Sequence, residues 1–260
     1  MILTKRVAMN GQQLDELDPS IVIRSVEPGV PKEAISAVDR MYGTGQRITS
    51  RHWQTLETVV SWAMNIPKRN LAERRRVFEL VTKWAIQGGW LTSNMVPDRM
   101  MYVEKAEIAD GGDLWQWTNE YKITFRAYGV PFWQGATPAT GAAGGASGGV
   151  WIDAGGQIRT VADADVYNSS GMPINNLALT TTSGGVLIFA GLNLPGYWHL
   201  YVQHGNDGVL RVTDSTGASR MNCLMIQSSD MLYAGPGPVG MSHSADRGVT
   251  VSYSARGRYL

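Results

Sequence analysis

The chain has 260 residues, of which 43% are hydrophobic and 17% are charged, and its formal net charge is +1. This length allows one or two domains, each with its own core, and the near-neutral charge argues against a strongly electrostatic partner such as bare nucleic acid. The single cysteine, Cys223, excludes an intrachain disulfide and a cysteine metal cage, and we expect it in a hydrophobic core. The N-terminal residues lack a long apolar run, so we expect neither a signal peptide nor a membrane span.

Charge is divided unevenly along the chain. Residues 1–133 carry 17 basic and 15 acidic residues, whereas residues 134–260 carry 6 and 7, with no lysine or glutamate. Such different surface chemistry favours two domains. Residues 134–149 are uncharged and contain six glycines and five alanines, which bury too little apolar surface to become ordered. We therefore predict domains at 1–133 and 150–260, joined by a flexible linker at 134–149.

The first half predicts several strands and one helix. Apolar residues at spacings of three and four predict the helix over residues 71–87, with Asn70 as its N-cap and Gly88 after its end. Strands are predicted at 21–24, 46–65, 89–92, 99–109 and 115–128. The last of these alternates apolar and polar residues and closes the first domain before Trp133. One helix packed on an antiparallel sheet is the expected arrangement.

Short strands and frequent turns are typical of the second half. Strands are predicted at 158–161, 174–182, 186–190, 197–204, 208–213, 222–227, 231–234 and 249–254. Turn sequences rich in glycine, serine and proline separate them. This regular spacing without helices predicts a β-sandwich.

Matches to catalytic motifs lack the structural context that those motifs require. Residues 145–149 fit a nucleophile elbow, but no helix is predicted after them, and residues 235–240 fit G-x-G-x-x-G without a helix to hold a phosphate. The four histidines have no metal-ligand spacing, and Asp163 and Asp165 lack the further ligands of a calcium loop. We therefore predict no catalytic, cofactor-binding or metal site, and no enzyme activity.

Three consecutive arginines on the predicted helix are a first candidate surface: Arg74, Arg75 and Arg76. A solvated helix face is one interpretation of such a run. The alternative is a protein interface, or the lining of a channel that faces a polyanion.

Exposed aromatic residues of the second half are a second candidate surface. Tyr197 and Tyr201 lie on the polar side of a predicted strand, and Trp151 follows the glycine-rich segment. Aromatic rings of this kind either stack on sugar rings or pack against a neighbouring strand or subunit. The sequence therefore offers Trp151, Tyr197 and Tyr201 as candidate glycan contacts.

The order of several short motifs resembles the distal tail proteins of long-tailed bacteriophages, the Dit family. In the first half they are Arg47–Trp62, Gly89–Leu91, Pro97–Arg99 and the aromatic segment 115–133. In the second half they are Val166–Gly171, Ser228–Leu232, the turn at 236–237 and Arg256–Leu260. The resemblance implies a mainly β fold, in which an N-terminal β-sandwich or sheet domain with one α-helix precedes a C-terminal galectin-like β-sandwich.

The same resemblance implies a structural virion protein at the phage tail tip, assembled in the host cytoplasm. Members of the family form a hexameric ring that joins the major tail tube protein to the hub or tail-associated lysin protein. The ring leaves a channel for the tape-measure protein and DNA, and no membrane partner or catalytic residue is implied. The alternative is a carbohydrate-binding module that contacts the host surface. A wall-degrading hydrolase is a third hypothesis, and it requires a carboxylate pair or metal site that the sequence does not offer.

Overall fold

The computed structural model describes residues 5–39, 46–109 and 120–260. They form mainly β structure, and the chain divides into two compact units, Met1–Trp133 and Gln134–Leu260. One α-helix occurs within the described ranges, in the first unit. The predicted mainly β class, with a helix in the first half and a β-sandwich in the second, is confirmed.

The first unit consists of short antiparallel sheets and a helix. Its strands are β1 (Val7–Met9), β2 (Gln12–Gln13), β3 (Ile21–Glu27), β4 (Glu33–Asp39), β5 (Gln46–Trp53), β6 (Leu56–Met64), β7 (Gly89–Ser93), β8 (Val96–Val103), β9 (Lys105–Ala109) and β10 (Glu120–Ala127), and its helix is α1 (Leu71–Ile86). Strand order is β3-β6-β10-β9 in one sheet and begins β2-β1-β7-β8 in another, while β4 and β5 form a separate hairpin. The predicted closing strand is present as β10, and its residues 115–119 lie outside the described ranges.

Helix α1 packs its apolar face on the β3-β6-β10-β9 sheet. The side chain of Asn70 accepts a hydrogen bond from the Glu73 amide at 3.4 Å, which satisfies one of the free N–H groups of the first turn. Trp84 meets the ring of Phe125 edge to face, with centroids 5.9 Å apart. The predicted cap and first residue of the helix agree with the structure, and the helix ends one residue earlier than predicted.

The second unit is a β-sandwich made by folding one sheet over. Its strands are β12 (Ala139–Asp153), β13 (Thr160–Asn168), β14 (Ile174–Thr181), β15 (Val186–Leu194), β16 (His199–His204), β17 (Leu210–Asp214), β18 (Tyr233–Ala234), β19 (Pro238–Ala255) and β20 (Arg258–Tyr259), preceded by β11 (Trp133–Gly135) where the two units meet in the chain. The long strand β19 pairs with β14 through its first part and with β13 through its last part. The layers β15-β14-β19 and β17-β16-β13-β19 thus enclose one core, to which Leu179, Phe189, Val166 and Val202 belong.

The predicted flexible linker at 134–149 is wrong. Most of this segment belongs to β12, which pairs with β19 in antiparallel register from Ala139 to Asp153. A bulge between Gly145 and Ser147 interrupts the register, and Gly145 adopts a positive φ of 109°. The glycine-rich segment is therefore an edge strand that belongs to both layers of the sandwich.

Close approach of the two parts of β12 explains why residue 141 is a glycine. A Cβ atom on Gly141 would lie 2.8 Å from a methyl carbon of Val150 and 2.8 Å from one of Ile152. These residues follow the bulge, so the two parts of the strand face each other at the end of the sandwich. Small residues are needed there because the layers leave no room for larger ones. The glycine and alanine content of this segment suggested a flexible linker. In the structure, a small residue at position 141 instead allows the two parts of the strand to pack closely.

One predicted strand of the second half is absent, and three are longer than predicted: the strand at 186–190 runs to Leu194, that at 249–254 is part of Pro238–Ala255, and that at 158–161 is part of Thr160–Asn168. In place of the strand predicted at 222–227, the chain forms a 3-10 turn at Met221–Cys223 and then an irregular segment. In that segment Ile226 is almost fully exposed, although it continues an apolar run. The strand predicted at 158–161 extends through Asn168 as β13, so Asp163 and Asp165 lie in a strand and not in a calcium-binding loop. Cys223 is buried in the core, as predicted.

Candidate functional site

The arginine cluster of α1 does not form one exposed surface. Arg74 is fully buried, and its guanidinium donates to the Ile66 carbonyl at 3.0 Å and to the Tyr121 hydroxyl at 2.8 Å. A buried arginine needs such partners because an unsatisfied cation is costly inside a protein. The inclusion of Arg74 in an exposed interface or channel surface is therefore wrong, since its side chain stabilises the first unit from within.

Arg75 and Arg76 are exposed and paired with carboxylates. Arg75 Nε lies 2.8 Å from Glu79 Oε1, and Arg76 Nη2 lies 2.7 Å from Glu73 Oε1 and also contacts Asp18. The hydrogen bond from Ser20 and the Arg76 guanidinium lower the pKa of Asp18, so this carboxylate stays charged. Both arginines thus have acidic neighbours on the same face. A contribution of Arg75 and Arg76 to an interface or channel stays a prediction.

The hairpin β4–β5 is a candidate surface that the sequence analysis missed. Within the described ranges, β4 and β5 pair only with each other. Ile35 and Val38 are 52% and 53% exposed, and Ile48 is exposed beside them. At the base of the hairpin, Trp53 packs edge to face on Phe132 at 4.8 Å. Its β-branched residues were the available signal, but residues 33–39 follow a turn-rich segment and were not assigned to a strand.

The three candidate aromatic residues do not form one site. Trp151 is 69% exposed on β12, opposite Gly240 of β19. Tyr197 is 67% exposed in the turn before β16, where its φ is +65°. Tyr201 lies on β16 itself, half-buried on the outer face of the layer that contains β13. Tyr201 lines a groove, to which Trp151 and Tyr197 do not contribute.

That groove has a volume of about 500 Å³ and lies on the outer face of the layer formed by β12, β19, β13 and β16. Its polar side chains are Thr140, Asp163, Asp165, Tyr201, Gln203, Ser252 and Ser254. They meet because alternate residues of each strand point outward, and Asp165 pairs with Ser252 on one side and with Tyr201 on the other. Sequence reasoning found Tyr201 but placed the two aspartates only in a hypothetical calcium loop.

The described residues contain no group of three or more histidine, cysteine or carboxylate side chains placed to hold a metal ion. The same ranges contain no helix of the length and apolar character needed to span a bilayer.

Comparison with known proteins identifies similar folds but no close sequence relative. No family model matches the chain, and no curated protein matches it significantly. The structure of the Dit protein of phage SPP1 aligns over 97% of this chain and 98% of its own, with a TM-score of 0.66 and 17% identity. A chain of the phage P2 baseplate, in its activated conformation with calcium, aligns over 98% of both chains with a TM-score of 0.48 and 7% identity. The Dit resemblance seen in the sequence is thus confirmed for the fold: over nearly its whole length, this chain has the fold of the SPP1 Dit protein.

Proposed function

We propose that the protein is a structural subunit of a phage tail tip and that it assembles into a hexameric ring. The fold shared with SPP1 Dit supports this role, because that protein is described as a paradigm of the hub adsorption apparatus in phages that infect Gram-positive hosts. The feature of this chain that supports self-assembly most directly is the hairpin β4–β5.

An isolated two-stranded hairpin is marginally stable in water unless it packs against another surface. Here the described side chains of β4 and β5 are exposed on both faces apart from half-buried Ala34, and Ile35, Val38 and Ile48 leave apolar area in contact with solvent. Exposed apolar patches of this kind mark interaction surfaces. A neighbouring copy can cover the hairpin, and repeating such a head-to-tail contact closes a ring.

In the assembled tail, the ring joins the major tail tube protein to the hub or tail-associated lysin protein. The tape-measure protein and DNA pass through its channel, to which Arg75 and Arg76 contribute in this proposal. Assembly takes place in the host cytoplasm, and the subunit performs no catalysis. The absence of a catalytic motif with its proper context in the sequence is consistent with this role.

Light scattering coupled to size exclusion tests the ring. At moderate salt we expect a mass six times the 28.4 kDa of one chain. Ile35→Glu should yield monomers, because it puts a carboxylate in place of an apolar side chain that the proposed contact buries, and desolvating that carboxylate is costly. Ile35 lies opposite Arg51, so the new carboxylate has a partner within the hairpin and the subunit should remain folded.

Val209→Glu is the matched control. Val209 is 52% exposed, as Ile35 is, but it lies in the second unit, so this variant should keep the hexameric mass. A monomeric wild-type protein contradicts the proposal. Equal loss of the ring in both variants contradicts the role of the hairpin.

A further inference from the structure

The outer groove of the second unit presents an aromatic platform held in place by its neighbours. The Tyr201 ring lies nearly parallel to the His199 imidazole, with centroids 5.6 Å apart, and His199 packs at 4.9 Å on Tyr167. Asp165 Oδ1 lies 2.7 Å from His199 Nδ1, which holds the imidazole in position. The orientation of Tyr201 is thus set before any ligand arrives, which reduces the entropy lost on binding.

Around this ring the groove offers hydrogen-bonding atoms that are not used by the described part of the chain. In the part of the chain that the structure describes, Asp163 and Asp165 form hydrogen bonds only through their Oδ1 atoms. The Tyr201 hydroxyl and the Gln203 side-chain amide form none there. Ser252 and Ser254 add two hydroxyls from the adjacent strand. Carboxylates accept hydrogen bonds, whereas side-chain amides and hydroxyls both donate and accept them. Together these groups match a ligand that carries several hydroxyl groups.

The shape and charge of the groove narrow the class of ligand further. Its volume of about 500 Å³ lies within the usual range of small-molecule sites. Two carboxylates and no lysine or arginine line it, which disfavours an anionic ligand. On the β12 and β19 side the outward residues are Thr140, Ala142, Ser252 and Ser254, which are small enough to let a ring lie flat against the sheet.

We infer that this groove is a binding site for a neutral pyranose glycan. The sugar stacks its C–H face on Tyr201, while Asp163, Asp165 and Gln203 bind its hydroxyl groups. Trp151 and Tyr197 take no part, because they lie outside the groove. This inference goes beyond the assembly role and does not depend on it, since the site is built within one subunit.

Saturation-transfer NMR and titration on the full-length protein test the inference. The probes are three neutral sugars, each with an anionic counterpart: lactose with 3′-sialyllactose, glucose with glucuronate, and N-acetylglucosamine with N-acetylmuramic acid. We expect at least one neutral sugar to bind with a Kd on the order of millimolar, and its anionic counterpart to bind more weakly by roughly tenfold. Tyr201→Ala should weaken binding of the neutral sugar by about tenfold or more.

Asp165→Asn is a second variant, which keeps the side-chain shape and should also weaken binding several-fold, so the result does not depend on the folding of Tyr201→Ala. Tyr197→Ala and Trp151→Ala are matched controls that remove exposed aromatic rings outside the groove, and they should bind as the wild type does. Failure of every neutral sugar to bind overturns the inference. So does tighter binding of the anionic counterpart, or equal loss in Tyr197→Ala and Tyr201→Ala. The ring is measured separately by mass, so either proposal can fail alone.

Discussion

Arg74 is a buried cation that links helix α1 to strand β10. Its guanidinium donates to the Tyr121 hydroxyl and to the Ile66 carbonyl, and burial raises the pKa of Tyr121, so the phenol stays neutral and accepts the bond. The sequence shows three adjacent arginines that look alike. Their different roles follow from their angular positions on the helix, where Arg74 shares the inward face with Val77 and Val81.

Replacing this arginine tests its structural role. Arg74→Met keeps an unbranched apolar side chain but removes the guanidinium that donates to the Tyr121 hydroxyl and the Ile66 carbonyl. We expect the free energy of unfolding to fall by about 2–4 kcal/mol in urea denaturation. Arg75→Met, one residue along, removes an exposed ion pair and should change it by less than about 1 kcal/mol. Equal effects of the two variants would contradict the structural role of Arg74.

Asp214 stabilises the turn after β17 because both of its carboxylate oxygens accept hydrogen bonds. It accepts hydrogen bonds from the Thr216 hydroxyl and amide, the Ala218 amide and Arg220, and it is almost completely buried. These bonds, led by that of Thr216, lower the pKa of Asp214 to about 2. The bonded form is therefore the charged form.

Stability should depend on pH through this residue. Because its pKa is lowered in the folded state, its contribution is complete above the ordinary aspartate value of 3.8 and is lost as pH falls from there toward 2. Between pH 6 and pH 2 the free energy of unfolding should fall by about 2 kcal/mol through this residue. Urea denaturation at the two pH values measures the change. Asp214→Asn should remove this part of the acid dependence, and Asp230→Asn, on an exposed aspartate, should leave it in place. Parallel pH profiles for wild type and Asp214→Asn would contradict the prediction.

At the scale of elements, β12 shows how one composition can have two meanings. Glycine and alanine are typical of flexible linkers, and they are also the residues that allow two strands or layers to approach closely. Local sequence cannot distinguish the two, because the neighbours that restrict Gly141 lie nine and eleven residues away, after a bulge.

Two glycine substitutions in β12 distinguish a packed strand from a linker. Gly141→Ala places a Cβ 2.8 Å from Val150 and Ile152, whose branched side chains have few alternative rotamers, so we expect a loss of about 1–3 kcal/mol in stability. Gly144→Ala meets no atom closer than 3.8 Å and should cost less than about 1 kcal/mol. Thermal and urea unfolding of the two variants measure the difference. Equal tolerance of both substitutions would support a linker.

At the scale of the whole molecule, the two compact units differ in how charge is used. The first unit carries most of the charge, and its exposed arginines Arg75 and Arg76 are matched locally by carboxylates. The second unit carries little charge and arranges two of its seven acidic residues in the outer groove. This division is consistent with an assembly surface in the first unit and a ligand surface in the second.

The amino-acid sequence by itself determined the features that depend on near neighbours in the chain. Alternation of apolar residues identified β10 and β16, and a cap with an apolar stripe identified α1 within one residue. The order of the short motifs along the chain was enough to indicate the fold of the Dit family. These signals are local because strand and helix periodicity is set by adjacent backbone geometry.

Only the tertiary structure decided how residues that look alike in the sequence differ in burial and contacts. It buried Arg74 and left Arg75 exposed, paired the glycine-rich segment with β19, and brought Asp163 and Asp165 of β13 together with Tyr201 of β16. It also left the hairpin β4–β5 without a further partner strand within the subunit's described ranges. Each outcome depends on contacts between residues far apart in sequence, which local periodicity does not encode.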